Sequence, residues 1–104
     1  MIVIWSAEAQ AQLAAIKEHV AQDSQQNAAA LIRRLVDRVD QLKIAARSGR
    51  EVPEYPDTGL RELLSRPYRI IFRKRDENVE VVTVMHYRQR LPAHPRDLTS
   101  GQRR

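Results

Sequence analysis

The apolar residues change periodicity along the chain, and this change divides the sequence into two halves. Between residues 9 and 42 they recur every three or four positions, whereas between residues 60 and 86 they alternate with polar residues or form continuous runs. A spacing of three or four residues is typical of amphipathic helices, and a period of two is typical of strands. The pattern therefore predicts an α+β fold in which the helices precede most of the strands.

The first half predicts a short strand followed by two helices. The strand covers residues 1–5, and Ser6 follows it as an N-cap whose hydroxyl can accept a hydrogen bond from a free backbone N–H. We predict a first helix that ends near Gln22 and a second helix from about Gln25 to Ala46. Two amphipathic helices joined by few residues form an antiparallel hairpin that must cover a sheet. The apolar stripes consist of Ala9, Leu13, Ile16 and Val20 in the first helix, and of Ala28, Leu31, Ile32, Leu35, Val39 and Leu42 in the second.

The second half predicts three strands, at residues 60–64, 68–74 and 79–86. The last of these is a nearly continuous β-branched run, which is typical of a central strand covered on both faces. Residues 75–78 form a polar loop short enough for a hairpin, and the proline-rich residues 50–59 are predicted to form neither helix nor strand. The predicted order is β-α-α-β-β-β: a small, mainly antiparallel sheet with the helical hairpin packed on one face.

Arginines are predicted to line the other face of this sheet. The alternation of the middle strand places Arg69 and Arg73 on one side, and His86, Arg88 and Arg90 follow the last strand. Because the helices should cover the opposite face, we expect the arginine face to be open. Arg69 is the first candidate for function, since an arginine inside an apolar strand must find a partner or face a groove.

Positive charge is concentrated at the C-terminal end of the chain. The 104 residues carry a formal net charge of +5, and residues 88–104 contain five arginines against one aspartate. We predict a single domain over residues 1–96 and a flexible basic tail over residues 97–104. A localised basic end favours acidic partners such as nucleic acid or an acidic protein segment.

The composition argues against several classes of site and compartment. The chain has no cysteine, and His19, His86 and His94 lack metal-ligand spacing, so no disulfide, thiolate nucleophile or metal centre is expected. No apolar run approaches the roughly 20 residues of a transmembrane helix, and residues 1–20 lack the features of a signal peptide. A cytoplasmic protein without membrane contact is therefore the expectation.

Arginine and histidine are the side chains left for chemistry, because the sequence has no P-loop, dinucleotide, zinc-protease or nucleophile-elbow motif. Arginine can hold phosphates through paired hydrogen bonds and can stabilise negative charge in a transition state. His86 can act as a general acid or base near neutral pH. Two functions remain open at this point: cleavage of RNA by its own 2′-hydroxyl, or a docking surface without chemistry.

The order and spacing of several segments resemble the RelE/ParE superfamily of toxins from bacterial type II toxin–antitoxin systems. The segments are IVIWSAEAQAQLAAI, NAAALIRRLVDRVDQL, GREVPEY, LRELLSRPYRIIFR and VVTVMHYRQRLP. The resemblance implies the fold predicted above and a hetero-oligomer with a small antitoxin, whose C-terminal segment masks the active surface. No cofactor is expected. Leu31, Leu35, Arg38 and Arg73 are the antitoxin-binding candidates, with core packing the first expectation for the two leucines.

The superfamily divides by target, and the residues favour its ParE-like branch. RelE-like members cut mRNA in the ribosomal A site, whereas ParE-like members poison DNA gyrase. Arg69 matches the tyrosine–arginine motif of the ribonucleases and Arg88 matches their post-sheet arginine, but the lysines of the preceding strand are absent. Arg61 is the basic residue available there, and Glu62 beside it would repel phosphate. The resemblance therefore favours a gyrase-poisoning toxin that arrests growth and is not itself an enzyme.

Two alternatives stay open beside the gyrase hypothesis. One is a ribosome-dependent mRNA interferase in which Arg69 and Arg88 hold the phosphate and His86 or His94 transfers a proton. The other is a degenerate toxin that binds only its antitoxin. The candidates for contact with the target are Arg61, Arg69, Arg73, His86, Arg88 and Arg90.

Overall fold

The fold is a five-stranded sheet with two helices, seen in a computed structural model that describes residues 1–45 and 47–98. The α+β class and the order of the main elements agree with the prediction. Within the described ranges, neither helix has the length and apolar character needed to cross a membrane. The elements are β1 (Ile2–Trp5), α1 (Ala7–Ala21), α2 (Gln25–Asp40), a 3-10 turn (Gln41–Lys43), β2 (Arg50–Glu51), β3 (Arg61–Ser65), β4 (Tyr68–Arg75) and β5 (Asn78–His86).

Serine side chains begin both helices. The Ser6 hydroxyl accepts a hydrogen bond from the Ala9 N–H at 2.9 Å, and it donates to the Val82 carbonyl at 2.7 Å, so the cap also joins α1 to β5. Ser24 caps α2 in the same way, at 3.1 Å from the Asn27 nitrogen. Such caps satisfy backbone donors that have no partner within the helix.

The second helix ends earlier than predicted. It stops at Asp40 and continues only as the 3-10 turn, while the predicted end at Ala46 lies outside the described residues. Leu42 is the last residue of the apolar stripe that is buried, and Ile44 is 94% exposed. Because a helix needs the burial of an apolar face for most of its stability, the absence of packing beyond Leu42 accounts for the shorter helix.

The sheet has the strand order β1-β5-β4-β3-β2. Neighbouring strands are antiparallel except for β1 and β5, which are parallel. The strand β2 was not predicted, because Pro53 and Pro56 marked residues 50–59 as a loop. Arg50 and Glu51 precede those prolines, and they pair with Glu62 and Arg61 at the edge of the sheet.

The helices cover one face of the sheet, as the alternation of β4 predicts. Tyr68, Ile70 and Phe72 point into this first core, where they meet the buried side of α2. Leu31 and Leu35 are also buried here, at 7% and 0% exposure. They are therefore core residues, which was the first expectation for both leucines, and their contact with an antitoxin stays a prediction.

The opposite face of the sheet is covered rather than open, which corrects the prediction of an exposed arginine face. A second core on this side joins β4 and β5 to the loop after β2 and to the segment after β5. The Tyr55 hydroxyl donates to the Pro92 carbonyl at 2.6 Å and connects these two coverings, and burial raises the pKa of that hydroxyl. The buried members are Val52, Tyr55, Leu60, Ile71, Val82, Met85, Leu91 and Leu98.

The packed domain continues past the predicted boundary at residue 96. Leu98 is 8% exposed within the second core, so residues 97 and 98 are not part of a free tail. Apolar burial on the sheet accounts for this, since Leu98 removes most of its side chain from water there. Residues 99–104, the remainder of the predicted tail, lie outside the described residues.

Replacement of Leu98 tests the second core. We expect Leu98→Ala to lower the free energy of unfolding by about 2 kcal/mol, because it removes a buried side chain. Leu64→Ala is the matched control, since Leu64 is 39% exposed and should cost less than about 1 kcal/mol. Urea denaturation of both variants measures the difference. Equal, small losses would show that Leu98 behaves as part of a free tail.

Candidate functional site

Arg69 and Glu62 are the buried centre of a cluster that the exposed Arg50 and Glu54 complete. Its guanidinium reaches Glu62 at 2.6 Å and holds both oxygens of Glu54, at 2.9 and 3.0 Å. Glu62 is fully buried and also accepts a hydrogen bond from Arg50 at 2.6 Å. We call Arg50, Glu54, Glu62 and Arg69 the arginine–glutamate cluster.

The pairing of three strands brings this cluster together. Arg50 of β2 lies directly opposite Glu62 of β3, and Leu64 of β3 lies opposite Arg69 of β4. Glu62 and Arg69 are therefore diagonal neighbours on one face, a separation that long side chains can bridge. Glu54 completes the cluster from the loop after β2.

The cluster neutralises Arg69 electrostatically. Its two arginines and two glutamates carry no net formal charge. The hydrogen bond from Arg69 lowers the pKa of the Glu54 carboxyl below its usual value of 4.5, against the opposing effect of burial. The bonds to Glu54 and then Glu62 raise the pKa of Arg69 above its already high value. The sequence predicted that Arg69 must find a partner or face a groove, and it finds its partners, Glu54 and Glu62, within the chain.

The other two strand arginines predicted as site residues, Arg61 and Arg73, also have internal partners. Arg73 donates to Glu80 at 2.8 Å, and the two residues come opposite each other because a bulge shifts the β4–β5 register after Ile71. Arg61 donates to the carbonyl oxygens of Arg47 and Gly49, at 3.0 and 2.9 Å. In this structure, Arg73 and Arg61 therefore stabilise contacts within the chain and are not free charges.

The residues after β5 form an aromatic stack with a cation above it. The His86 ring stacks on Tyr87 at 4.9 Å between centroids and meets the edge of Tyr68 at 5.7 Å. The Arg88 guanidinium lies 5.7 Å from the Tyr87 ring centroid, within the range of a cation–π interaction. His86 Nδ1 accepts the backbone N–H of Arg88 at 3.1 Å, which leaves Nε2 as the ring nitrogen available to an outside group.

Three arginines near this stack have no carboxylate partner among the described residues. Arg88 and Arg90 are exposed after β5, and Arg66 is exposed in the turn between β3 and β4. The backbone of Tyr87 donates to the Pro67 carbonyl at 2.8 Å, and this bond joins the turn to the stack. We call Arg66, Tyr87 and Arg88 the basic corner; Arg90 follows it along the chain.

A groove of about 600 Å³ separates the basic corner from the arginine–glutamate cluster. Its volume falls within the range of ligand-binding clefts, roughly 300–1,000 Å³. The lining residues are Arg50, Glu54, Leu64, Arg66, Pro67, Tyr68, Arg69 and Tyr87.

The remaining predicted site residues are not brought to this groove. His94 is exposed in the segment after β5, and none of the contacts among the described residues joins it to His86 or Arg69. Arg38 of α2 donates to the Leu64 carbonyl at 3.3 Å and to Gln41 at 2.6 Å. In residues 1–45 and 47–98, no three acidic or histidine side chains are grouped as metal ligands would be.

Sequence reasoning missed Glu54, Arg66 and Tyr87. A tyrosine between histidine and arginine, in the sequence His86-Tyr87-Arg88, is a recognisable combination of aromatic and basic residues and was available as a signal. Glu54 gave no such signal, because it lies in an irregular loop 15 residues before the arginine that it contacts.

Comparisons with known proteins give one consistent result. The chain matches the family model described as the ParE toxin of the type II toxin–antitoxin system parDE over residues 3–91. A chain in the solved structure of the chromosomal ParDE system from P. aeruginosa matches with a TM-score of 0.71 and 27% sequence identity, over 83% of this chain and 95% of that chain. Curated protein sequences gave no significant match.

Loss of Arg69 should destabilise the fold far more than loss of Arg73. Arg69→Ala leaves the buried Glu62 without its second cation, and breaking such a buried pair costs about 3–5 kcal/mol. Arg73→Ala removes a pair that is 43% and 23% exposed, which is worth about 0–1 kcal/mol. Chemical denaturation of the two variants measures both values. Similar small losses would contradict a structural role for the cluster.

The bond between Glu54 and Arg69 should make stability depend on acidity. Because the folded-state pKa of Glu54 lies below 4.5, its ionised form stabilises the fold above that value, and the contribution is lost as the pH falls through the lower pKa. We expect the difference in unfolding free energy between wild type and Glu54→Gln to be constant near neutral pH and to shrink below 4.5. Urea titrations at a series of pH values measure it. A difference that does not change with pH would contradict the ion pair.

Proposed function

The chain belongs to the ParE toxin family of type II toxin–antitoxin systems, and we propose that it arrests growth by poisoning DNA gyrase. The observation that carries this proposal is the family match, which spans all the helices and strands from Val3 onward and extends past β5 to Leu91. Gyrase is the target that the ParE-like branch implies. The gyrase proposal assigns no bond-making step to the toxin itself.

Arg88 and Arg90 are the residues that we assign to contact with gyrase. They are exposed and have no carboxylate partner among the described residues, whereas Arg61, Arg69 and Arg73 are bonded within the chain. The Arg88 guanidinium donates one bond within the chain, from Nε to the Tyr87 hydroxyl at 3.3 Å, and its other N–H groups can bond to a partner without first breaking an ion pair. The stacked rings of His86 and Tyr87 support the same surface.

A cognate antitoxin is the second partner in this proposal. We assign its apolar docking site to a groove of about 630 Å³ between β1 and the helical hairpin. Ile32 and Val36 line this groove and are half-buried, so they replace Leu31 and Leu35 as the candidate contacts on α2. An antitoxin segment with acidic residues beside an apolar stripe fits this groove and the +5 net charge of the toxin. The other lining residues are Val3, Ile4, Trp5, Gln10, Leu13, Ala14 and Lys17.

The mRNA interferase alternative receives less support from the site. It needs the Arg69 guanidinium on a phosphate, and that group is already bonded to Glu54 and Glu62. A substrate would have to displace a paired carboxylate from a side chain that is 8% exposed. Contact with gyrase through Arg88 and Arg90 does not require Arg69 to release its carboxylate partners.

A supercoiling assay with purified gyrase tests the proposal. Wild-type toxin should abolish supercoiling or accumulate cleaved plasmid, and a stoichiometric amount of antitoxin should reverse the effect. We expect Arg88→Ala with Arg90→Ala to raise the half-inhibitory concentration at least about tenfold, the effect of losing roughly 1.4 kcal/mol of binding.

Lys74→Ala with Arg75→Ala is the matched control for this assay. Both residues are exposed at the far end of β4, so their loss removes the same two charges at a distance from the basic corner. Equal loss of inhibition in the two variants would show that net charge, and not the surface after β5, acts on gyrase. Unimpaired gyrase at high excess of wild-type toxin would refute the target.

A further inference from the structure

The groove beside the basic corner has a neutral floor and a positive rim. On the floor, Arg69 is bonded to Glu54 and Glu62. On the rim, Arg66 lines the groove, and Arg88 lies beside it, 5.7 Å from the ring of Tyr87. Neither arginine has a carboxylate partner in the part of the chain that the structure describes, and Arg88 Nε donates to the Tyr87 hydroxyl at 3.3 Å. A negatively charged group that entered this groove would therefore meet guanidinium groups without a counter-charge at its edge and an already satisfied cluster below.

The exposed ring of Tyr87 lies beside these arginines. Tyr87 lines the groove together with Arg66, and its ring lies 5.7 Å from the Arg88 guanidinium. Tyr87 is 51% exposed although His86 stacks against its ring at 4.9 Å. His86 covers one face of the ring and Arg88 lies 5.7 Å from its centroid, so another planar group would use the exposed part of the ring beside Arg88.

Hydrogen bonds of the backbone fix the position of Tyr87. Its N–H donates to the Pro67 carbonyl at 2.8 Å, and the Gln89 side chain accepts from the His86 N–H at 2.8 Å. These bonds hold the residues after β5 against the β3–β4 turn that carries Arg66. The Tyr87 ring and the backbone that carries the two arginines are therefore held in place before binding, which lowers the entropic cost of binding.

We propose that the groove beside the basic corner binds single-stranded nucleic acid, with a base stacked on Tyr87 and phosphates held by Arg66 and Arg88. Arginine pairs with phosphate oxygens through two parallel hydrogen bonds, and aromatic rings stack on unpaired bases of any sequence. An acidic peptide would use the cations but would gain little from the exposed ring. Single-stranded nucleic acid carries both phosphates and open bases, so it fits the groove better than an acidic peptide does.

The ligand is single-stranded because the ring must reach the face of a base. In a duplex the base faces are covered by their neighbours, and only their edges are open in the grooves. The groove of about 600 Å³ is of the size that encloses a small-molecule ligand, so it fits a short stretch of one strand rather than a double helix. DNA and RNA share this chemistry, and the 2′-hydroxyl distinguishes them.

Fluorescence anisotropy with purified toxin and a labelled oligonucleotide of about 12 nucleotides tests the inference without gyrase. We expect Tyr87→Ala to raise the dissociation constant about tenfold or more through lost stacking, and Tyr87→Phe to keep the affinity of wild type. Arg66→Ala with Arg88→Ala should reduce the slope of log affinity against log salt by about 1.4, since each phosphate contact on a single strand contributes about 0.7.

Lys74→Ala with Arg75→Ala is again the charge control, because it removes two cations from the opposite end of β4. Circular dichroism melting of each variant shows that it is folded. Matched DNA and RNA strands identify the source of the ligand: tighter DNA binding points to strands exposed during DNA cleavage, and tighter RNA binding points to transcripts. Because gyrase is absent, the result is independent of the supercoiling assay.

Several results would overturn the inference. One is an absence of binding even at low salt. Another is binding that Tyr87→Ala leaves unchanged, or a duplex of the same sequence that binds as tightly as the single strand, since either would exclude stacking. A polyglutamate peptide that competes equally against wild type and Tyr87→Ala would reassign the basic corner to an acidic protein segment.

Discussion

The ion pairs of Arg69 are the interaction on which the rest of the structure depends. This guanidinium connects β4 to β3 through Glu62 and connects the sheet to the loop after β2 through Glu54. A charge buried inside a strand has to be paired, because its transfer from water costs several kcal/mol without a partner. The chain supplies two carboxylates for it, and Glu62 also holds the edge strand through Arg50. The loop after β2 is thereby fixed against the sheet face that Tyr55 and Leu91 help to cover.

This constraint divides the arginines into two groups with different roles. Among the predicted site residues, Arg61, Arg69 and Arg73 use their hydrogen bonds within the chain. Arg66 and Arg88, in the turn and after β5, have no carboxylate partner among the described residues. Arg69, the one buried arginine of the described residues, is neutralised by Glu54 and Glu62. Around the groove, the arginines without a counter-charge therefore lie at the corner of the sheet rather than on its face.

The sequence predicted the helices and strands better than it predicted what covers the second face of the sheet. The alternation of β4 correctly placed Arg69, Ile71 and Arg73 on one face, since side-chain direction in a strand depends only on local geometry. Whether that face was open depended on Leu91 and Leu98, which lie in an irregular segment with no periodic pattern. The same limit applied to Glu54, whose contact with Arg69 arises from a loop conformation. Periodicity therefore could not predict that Arg69 is buried. It did predict that Arg69 would need a partner.

The central claim is that Arg69 maintains the fold whereas the surface after β5 acts on the target. Induced growth arrest, measured together with the folded fraction of the protein in the same cells, tests it most directly. The account predicts that Arg69→Ala still arrests growth at a temperature where it remains folded, and that the folded Arg88→Ala, Arg90→Ala double variant does not. A folded Arg69→Ala protein without toxicity, beside a fully toxic double variant, would contradict the account.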